Sequence, residues 1–236
     1  MEPYLSSLAA GEVLWQVFAS GGDMMTTGAF SSPTVATVAG QEQLLVQTRT
    51  ELCGVSLDSG AVFWKEPIKA FRGMNILTPL PIGDAVFTAA HSGSSQLFDI
   101  TRDGQKWRVK ERWQQKTQGY MSSPIVIDDS IYLHMKNERA VCLALADGKI
   151  RWTSPPVGKY WSMARNGNKI LALANNGTLR LIEATPDRFN VIDEMKVAND
   201  SWAHIAVQGN FVIVRALDRL TVFRWSDGGS ESNAAK

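Results

Sequence analysis

Short apolar runs broken by Gly, Asp or Asn recur along the whole chain, and no 3.6-residue apolar stripe bounded by caps accompanies them. Five segments line up: "SSPTVATVAGQEQLLVQ" (31–47), "LTPLPIGDAVFTAA" (77–90), "SSPIVIDDSIYLHM" (122–135), "SMARNGNKILALA" (162–174) and "AHIAVQGNFVIVRA" (203–216). Each reads as a short apolar strand, a tight turn and a second apolar strand. Val86, Ile131, Ile170 and Phe211 hold one slot, at spacings of 45, 39 and 41 residues. A third strand follows in each unit, as "ELCGVSL", "SQLFDI", "RAVCLAL", "TLRLIEA" and "RLTVF".

The third strand runs into a turn that repeats more strictly. "LAAGEVLW" (8–15), "LDSGAVFW" (57–64) and "LADGKIRW" (145–152) each place a Trp four residues after a Gly. "TRDGQKW" (101–107) is a looser copy, followed by a second candidate, Trp113. Four antiparallel strands in roughly forty residues are the signature of a β-propeller blade. Short strands with frequent turns also suit a sandwich, but a sandwich does not require the repeat. The pattern predicts an all-β propeller of about five blades, with Trp15, Trp64, Trp113 and Trp152 covering the gap to the next blade. Residues 1–228 read as that single domain and 229–236, "GSESNAAK", as a disordered polar tail.

The two ends need a reading of their own. Residues 203–225 supply three strands of a last blade with no Trp strand after them, while "YLSSLAAGEVLWQV" (4–17) supplies a spare Trp strand. Pairing the two would close a five-bladed ring and hide its sheet edges. The opening stretch also duplicates a third strand and turn, which is what a cut through a longer array leaves. The expectation is therefore a five-bladed ring closed by strand sharing, or part of a seven- or eight-bladed ring lacking its N-terminal blades.

Composition excludes several classes of function. Hydrophobic residues make up 44% and charged residues 20%, with a net charge of +1, so no basic footprint calls for nucleic acid. No 18-residue apolar stretch encodes a membrane span, and Met1-Glu-Pro-Tyr has neither the basic nor the apolar region of a signal peptide. Cys53 and Cys142 stand seven and six residues before Gly60 and Gly148. That places them on opposite strand faces in different blades, which argues against a disulfide. There is no P-loop, GxGxxG, HExxH or GxSxG.

The Gly-x-x-x-Trp turn, preceded by "SSPxV", resembles the quinoprotein-type repeat of the PQQ-binding-like β-propeller proteins. "AFRGMNILTP", "QGYMSSPIVID", "GKYWSMA", "SWAHIAV" and "LTVFRW" carry the likeness, from Tyr4 to Trp225. Bacterial relatives include quinone dehydrogenases and the outer-membrane assembly lipoprotein BamB. The dehydrogenases imply pyrroloquinoline quinone with calcium, an Asp base and adjacent cysteines, and this chain lacks that cysteine pair. The assembly lipoprotein implies a non-catalytic monomeric scaffold with a protein or peptide partner and no cofactor. Members are usually exported to the periplasm or cell envelope, although no signal peptide opens this chain.

Connections from one blade's outer strand to the next blade's inner strand gather round one mouth of the channel. Here they carry Phe30, Arg72, Asn75, Tyr120, Lys159, Tyr160, Trp161, Trp202 and His204. Aromatics beside cations, an amide and an imidazole suit a partner or ligand site. They equally suit a channel plug, since Tyr and Trp fill space while keeping one polar contact. His134 reads as a structural histidine of a second strand. No metal site or catalytic residue is expected.

Overall fold

The computed structural model describes residues 5–6, 13–18 and 30–225; the polar tail and the turn at 226–228 lie outside them. A two-stranded pair, β1 (Leu5–Ser6) and β2 (Val13–Trp15), comes first. Four four-stranded blades follow. The first is β3 (Thr34–Val38), β4 (Gln41–Gln47), β5 (Glu51–Val55) and β6 (Val62–Pro67), and the second β7 (Leu80–Ile82), β8 (Ala85–Ala89), β9 (Ser95–Asp103) and β10 (Lys106–Gln115). The third is β11 (Ile125–Ile127), β12 (Ser130–His134), β13 (Arg139–Ala144) and β14 (Ile150–Pro156), and the fourth β15 (Ser162–Asn166), β16 (Lys169–Leu173), β17 (Thr178–Glu183) and β18 (Asn190–Lys196). A fifth blade has three strands, β19 (Ala206–Gln208), β20 (Phe211–Arg215) and β21 (Leu220–Arg224). Every pairing is antiparallel and joins neighbours in sequence, so each sheet is a meander.

A twisted four-stranded sheet buries neither face by itself, and the core sits accordingly in the wedges between blades. Phe87, Leu97 and Trp113 of the second blade meet Ile131, Leu133 and Leu143 of the third. Tyr132 and Cys142 of the third meet Ile170 and Ile182 of the fourth. The wedge between fourth and fifth blades is smaller, with Leu173, Leu179, Val212 and Val214 at its centre.

One device recurs in the outer strands. β2, β6, β10, β14 and β18 all shift register by one extra residue against the third strand at an equivalent place, and β14 shifts a second time between Thr153 and Pro156. Such a bulge re-aims the side chain that follows. That side chain is Trp15, Trp64, Trp113 and Trp152 in four of the strands. The Trp15, Trp113 and Trp152 Nε1 groups donate to the carbonyls of Leu57, Leu145 and Thr185 in the turn of the next blade, at 2.8, 2.9 and 2.8 Å. Two of those turns hold a glycine at positive φ, Gly60 and Gly148. A Cβ there would stand 2.6 Å from the Trp15 ring and 2.5 Å from the Trp113 ring, so only glycine admits the indole.

Trp64 departs from this pattern. Its Nε1 donates to Gln43 Oε1 at 2.7 Å, within its own blade, although its ring still packs on Val86 and Phe98 of the next. The second blade's outer hairpin, β9–β10, is longer and carries its turn glycine, Gly104, into open space. That hairpin uses its other tryptophan, Trp107, to stack on Phe63 at 5.1 Å.

Of the two readings of the chain ends, strand sharing is not what the described residues adopt. β2 pairs with β1, Trp15 seats on the first blade, and β21 pairs with β20 alone. β1 and β2 therefore form a separate two-stranded pair against the first blade. Cys53 and Cys142 are free and buried in separate blades. Burial pushes the Cys53 thiol up to about 12, helped by the Glu51 carboxylate, which leaves it unreactive.

Candidate functional site

In a meandering blade, the connections between blades and the turns between second and third strands emerge on the same side. Five rings from these loops form a continuous arc there. Phe71 meets His91 edge-on at 5.6 Å, His91 meets Tyr120 at 5.0 Å, Tyr120 meets Tyr160 at 5.9 Å, and Tyr160 meets Trp202 at 4.7 Å. The arc crosses from the second blade to the fifth. Phe71 and Trp202 are exposed, at 47% and 62%, and the two tyrosines are half-buried.

The Phe71 end is built by a short turn, Phe71–Gly73, that bridges two blades. The Phe71 N–H donates to the His91 carbonyl at 2.9 Å, and Asn75 Nδ2 donates to the Thr48 and Arg49 carbonyls at 3.2 and 2.9 Å. Arg49 also donates to the Arg72 carbonyl. Arg72, at φ +51°, lays its guanidinium over the Phe71 ring at 5.1 Å. Asn75 and His91 are buried, and Asn75 Oδ1 and His91 Nδ1 have no partner among the described residues. Burial, reinforced by Lys136, lowers the His91 pKa, so the ring is neutral at pH 7. At the other end, Lys159 pairs with Glu138 at 3.5 Å, and its N–H donates to Asn175 Oδ1 at 2.9 Å.

The structure thus brings Arg72, Asn75, Tyr120, Lys159, Tyr160 and Trp202 to one mouth. Phe71 and His91 belong there too and escape a sequence reading that considers only the inter-blade connections. His91 sits in a turn between second and third strands, which opens on the same side. Phe30 is exposed and joins no ring contact of the arc among the described residues.

Two candidates need correction. Trp161 is not at the mouth: it is 2% exposed, stacked on His134 at 5.2 Å, and its Nε1 donates to the Val157 carbonyl at 3.2 Å. Its neighbour Tyr160 has φ +52°, and that left-handed residue turns the two rings apart, one inward and one outward. His204 is exposed but serves as a strut. Its Nδ1 lies 3.3 Å from Ser162 Oγ, which also accepts from the Ile205 N–H at 2.9 Å and so ties the connection to the fourth blade. His134 is structural: Nε2 donates to the Gly158 carbonyl at 2.8 Å, and burial lowers its pKa to about 4.

Among the described residues no three His, Cys, Asp or Glu side chains converge as metal ligands, and the two cysteines lie in separate blades. No helix of the described residues is long and apolar enough to cross a membrane.

Residues 6–154 match the family described as outer membrane protein assembly factor BamB. The crystal structure of BamB from Moraxella catarrhalis superposes with a TM-score of 0.71 at 14% identity, covering 94% of this chain and 66% of that one. The chain therefore spans slightly less than two thirds of that relative's length. The computationally designed Ika4 protein gives a TM-score of 0.44 at 14% identity, over 67% of this chain and 91% of that one. No curated protein sequence matches the chain.

Proposed function

The chain belongs to the family of the outer membrane protein assembly factor BamB, and from that premise we propose that it is a non-catalytic scaffold holding a protein partner on the aromatic mouth of the propeller. The observation that carries this reading is the unbroken arc from Phe71 to Trp202. Aromatic rings offer large contact area at low entropic cost, and Tyr, Trp and Arg dominate the energetics of protein interfaces. With ring spacings of 4.7–5.9 Å the arc matches about six residues of extended chain, which rise about 3.3 Å each. Arg72 and Lys136 beside it favour a segment that carries acidic residues.

The test is selection from a displayed library of random extended peptides. Wild-type protein should enrich sequences combining aromatic and acidic residues. Trp202→Ala and Tyr160→Ala should lose that enrichment, and Trp202→Ala, whose ring is exposed, should also keep the wild-type melting temperature. Equal enrichment by the variants, or none by the wild type, overturns the reading.

A further inference from the structure

The outer strand of the fourth blade, β18, breaks the pattern of the other four. Directly across each sheet, the residue after the bulge ends a row of paired side chains. In the second blade the row is Leu80, Phe87, Leu97, Trp113, and in the third it is Ile125, Tyr132, Cys142, Trp152. In the fourth it is Ala164, Leu171, Leu181, and then Asp193. An exposed carboxylate thus holds the place of an indole, with its Oδ1 turned back to the Glu194 N–H at 2.8 Å.

The wedge beside this row is correspondingly open. A cavity of about 620 Å³ lies between the fourth and fifth blades, with Ala164, Leu171 and Leu181 on one wall and Val207 and Val212 on the other. Trp225 also lines it. In sequence, Trp225-Ser-Asp-Gly repeats Leu57-Asp-Ser-Gly and Leu145-Ala-Asp-Gly. Trp225 therefore stands where the other turns offer a carbonyl to the indole. The volume is that of a small-molecule site.

The mouth of the cavity is cationic. Arg165, Lys169 and Arg224 line it, and no acidic side chain does. None of the three forms an ion pair among the described residues. Arg165 donates to the Val126 carbonyl at 2.6 Å, and Arg224 lies over the Phe211 ring at 5.6 Å. Glu183, across the strand pair from Lys169, is engaged by Asn190 Nδ2 at 2.6 Å.

We propose that this wedge binds a small aromatic carboxylate, whose ring takes the place of the absent indole and whose anion meets Lys169 and Arg224. The site is separate from the aromatic arc, which lies among loops on the opposite side of the blades. The probe is indole-3-propionate, with its neutral amide and the cationic amine tryptamine as controls, followed by calorimetry and thermal melting of the intact chain. Indole-3-propionate should raise the melting temperature by several degrees, the amide should bind ~10-fold more weakly, and tryptamine should give no shift. Lys169→Glu and Arg224→Glu, both exposed changes, should each weaken binding ~10-fold. Asp193→Trp should fill the wedge and abolish binding, while Trp202→Ala should leave it unchanged. Equal binding of tryptamine, indifference to both charge reversals, retention in Asp193→Trp, or loss in Trp202→Ala would each overturn the proposal.

Discussion

The wedge between the second and third blades and the wedge between the fourth and fifth have the same strand topology and opposite character. In the former, Trp113 lies on Gly148, donates to Leu145, and is flanked by Gln115 Nε2 donating to the Asp147 carbonyl at 2.9 Å. In the latter, Asp193 faces solvent, and Val191, Ile192 and Met195 of the same strand are exposed. Topology places the blades, but one side chain per outer strand decides how firmly neighbours adhere. In a repeat array stability is close to a sum of such nearest-neighbour contacts, so the fifth blade should open first in hydrogen exchange.

The sharpest way to break the contrast is Trp113→Ala, which removes the ring and orphans the Leu145 carbonyl. It should cost about 3–5 kcal/mol in urea unfolding and leave a second and third blade no better joined than the fourth and fifth. Acid should next loosen the neighbouring wedge, between the third and fourth blades. His134 lies between Gly158 and Trp161, and its folded pKa of about 4 is below the value near 6.5 expected for the unfolded chain. The unfolded state then binds the extra proton, so the stabilising effect is complete above about pH 6.5 and is lost as pH falls towards 4. A loss of about 3 kcal/mol is expected across that window, and a His134→Gln variant should show a flatter profile.

Smaller effects separate sterics from backbone freedom. Gly148→Ala combines a φ of +70° with a clash at 2.5 Å against Trp113, whereas Gly104→Ala meets only the cost of φ +59°. About 2 kcal/mol or more against about 1 kcal/mol is expected from chemical denaturation. Least of all, Asp193→Trp should stabilise the open wedge by about 1 kcal/mol and slow exchange in β20; a destabilised variant would show that the fifth blade has no seat for an indole.

How much of this was readable from the sequence depends on whether a residue announces its period. The Gly-x-x-x-Trp spacing identifies the blades and marks Trp15, Trp64 and Trp152, because turn chemistry and a rare residue coincide there, whereas the seated Trp113 falls outside it. The fourth blade's turn, "EATPDRF", contains neither Gly nor Trp, so the row ending in Asp193 becomes visible only once the strands are paired. Trp161 and Trp202 sit in equivalent connections and look alike in sequence. Their fates diverge because a left-handed Tyr160 precedes one of them, and backbone handedness at a non-glycine residue leaves no local signature. The position of His91 in the arc was hidden for another reason: its partners come from a different kind of loop, 20 and 29 residues away along the chain.

The bulge in each outer strand acts as a phase-shifter. A strand alternates its faces strictly, so the single extra residue is what turns the following side chain toward the neighbouring blade. Removing one such residue, Arg112 for instance, would restore the alternation and send the indole to the other side of the sheet without changing the composition of the core. Cohesion between blades is therefore encoded in the counting of residues as much as in their kind, and the array is more vulnerable to an in-frame deletion at these five places than to most substitutions around them.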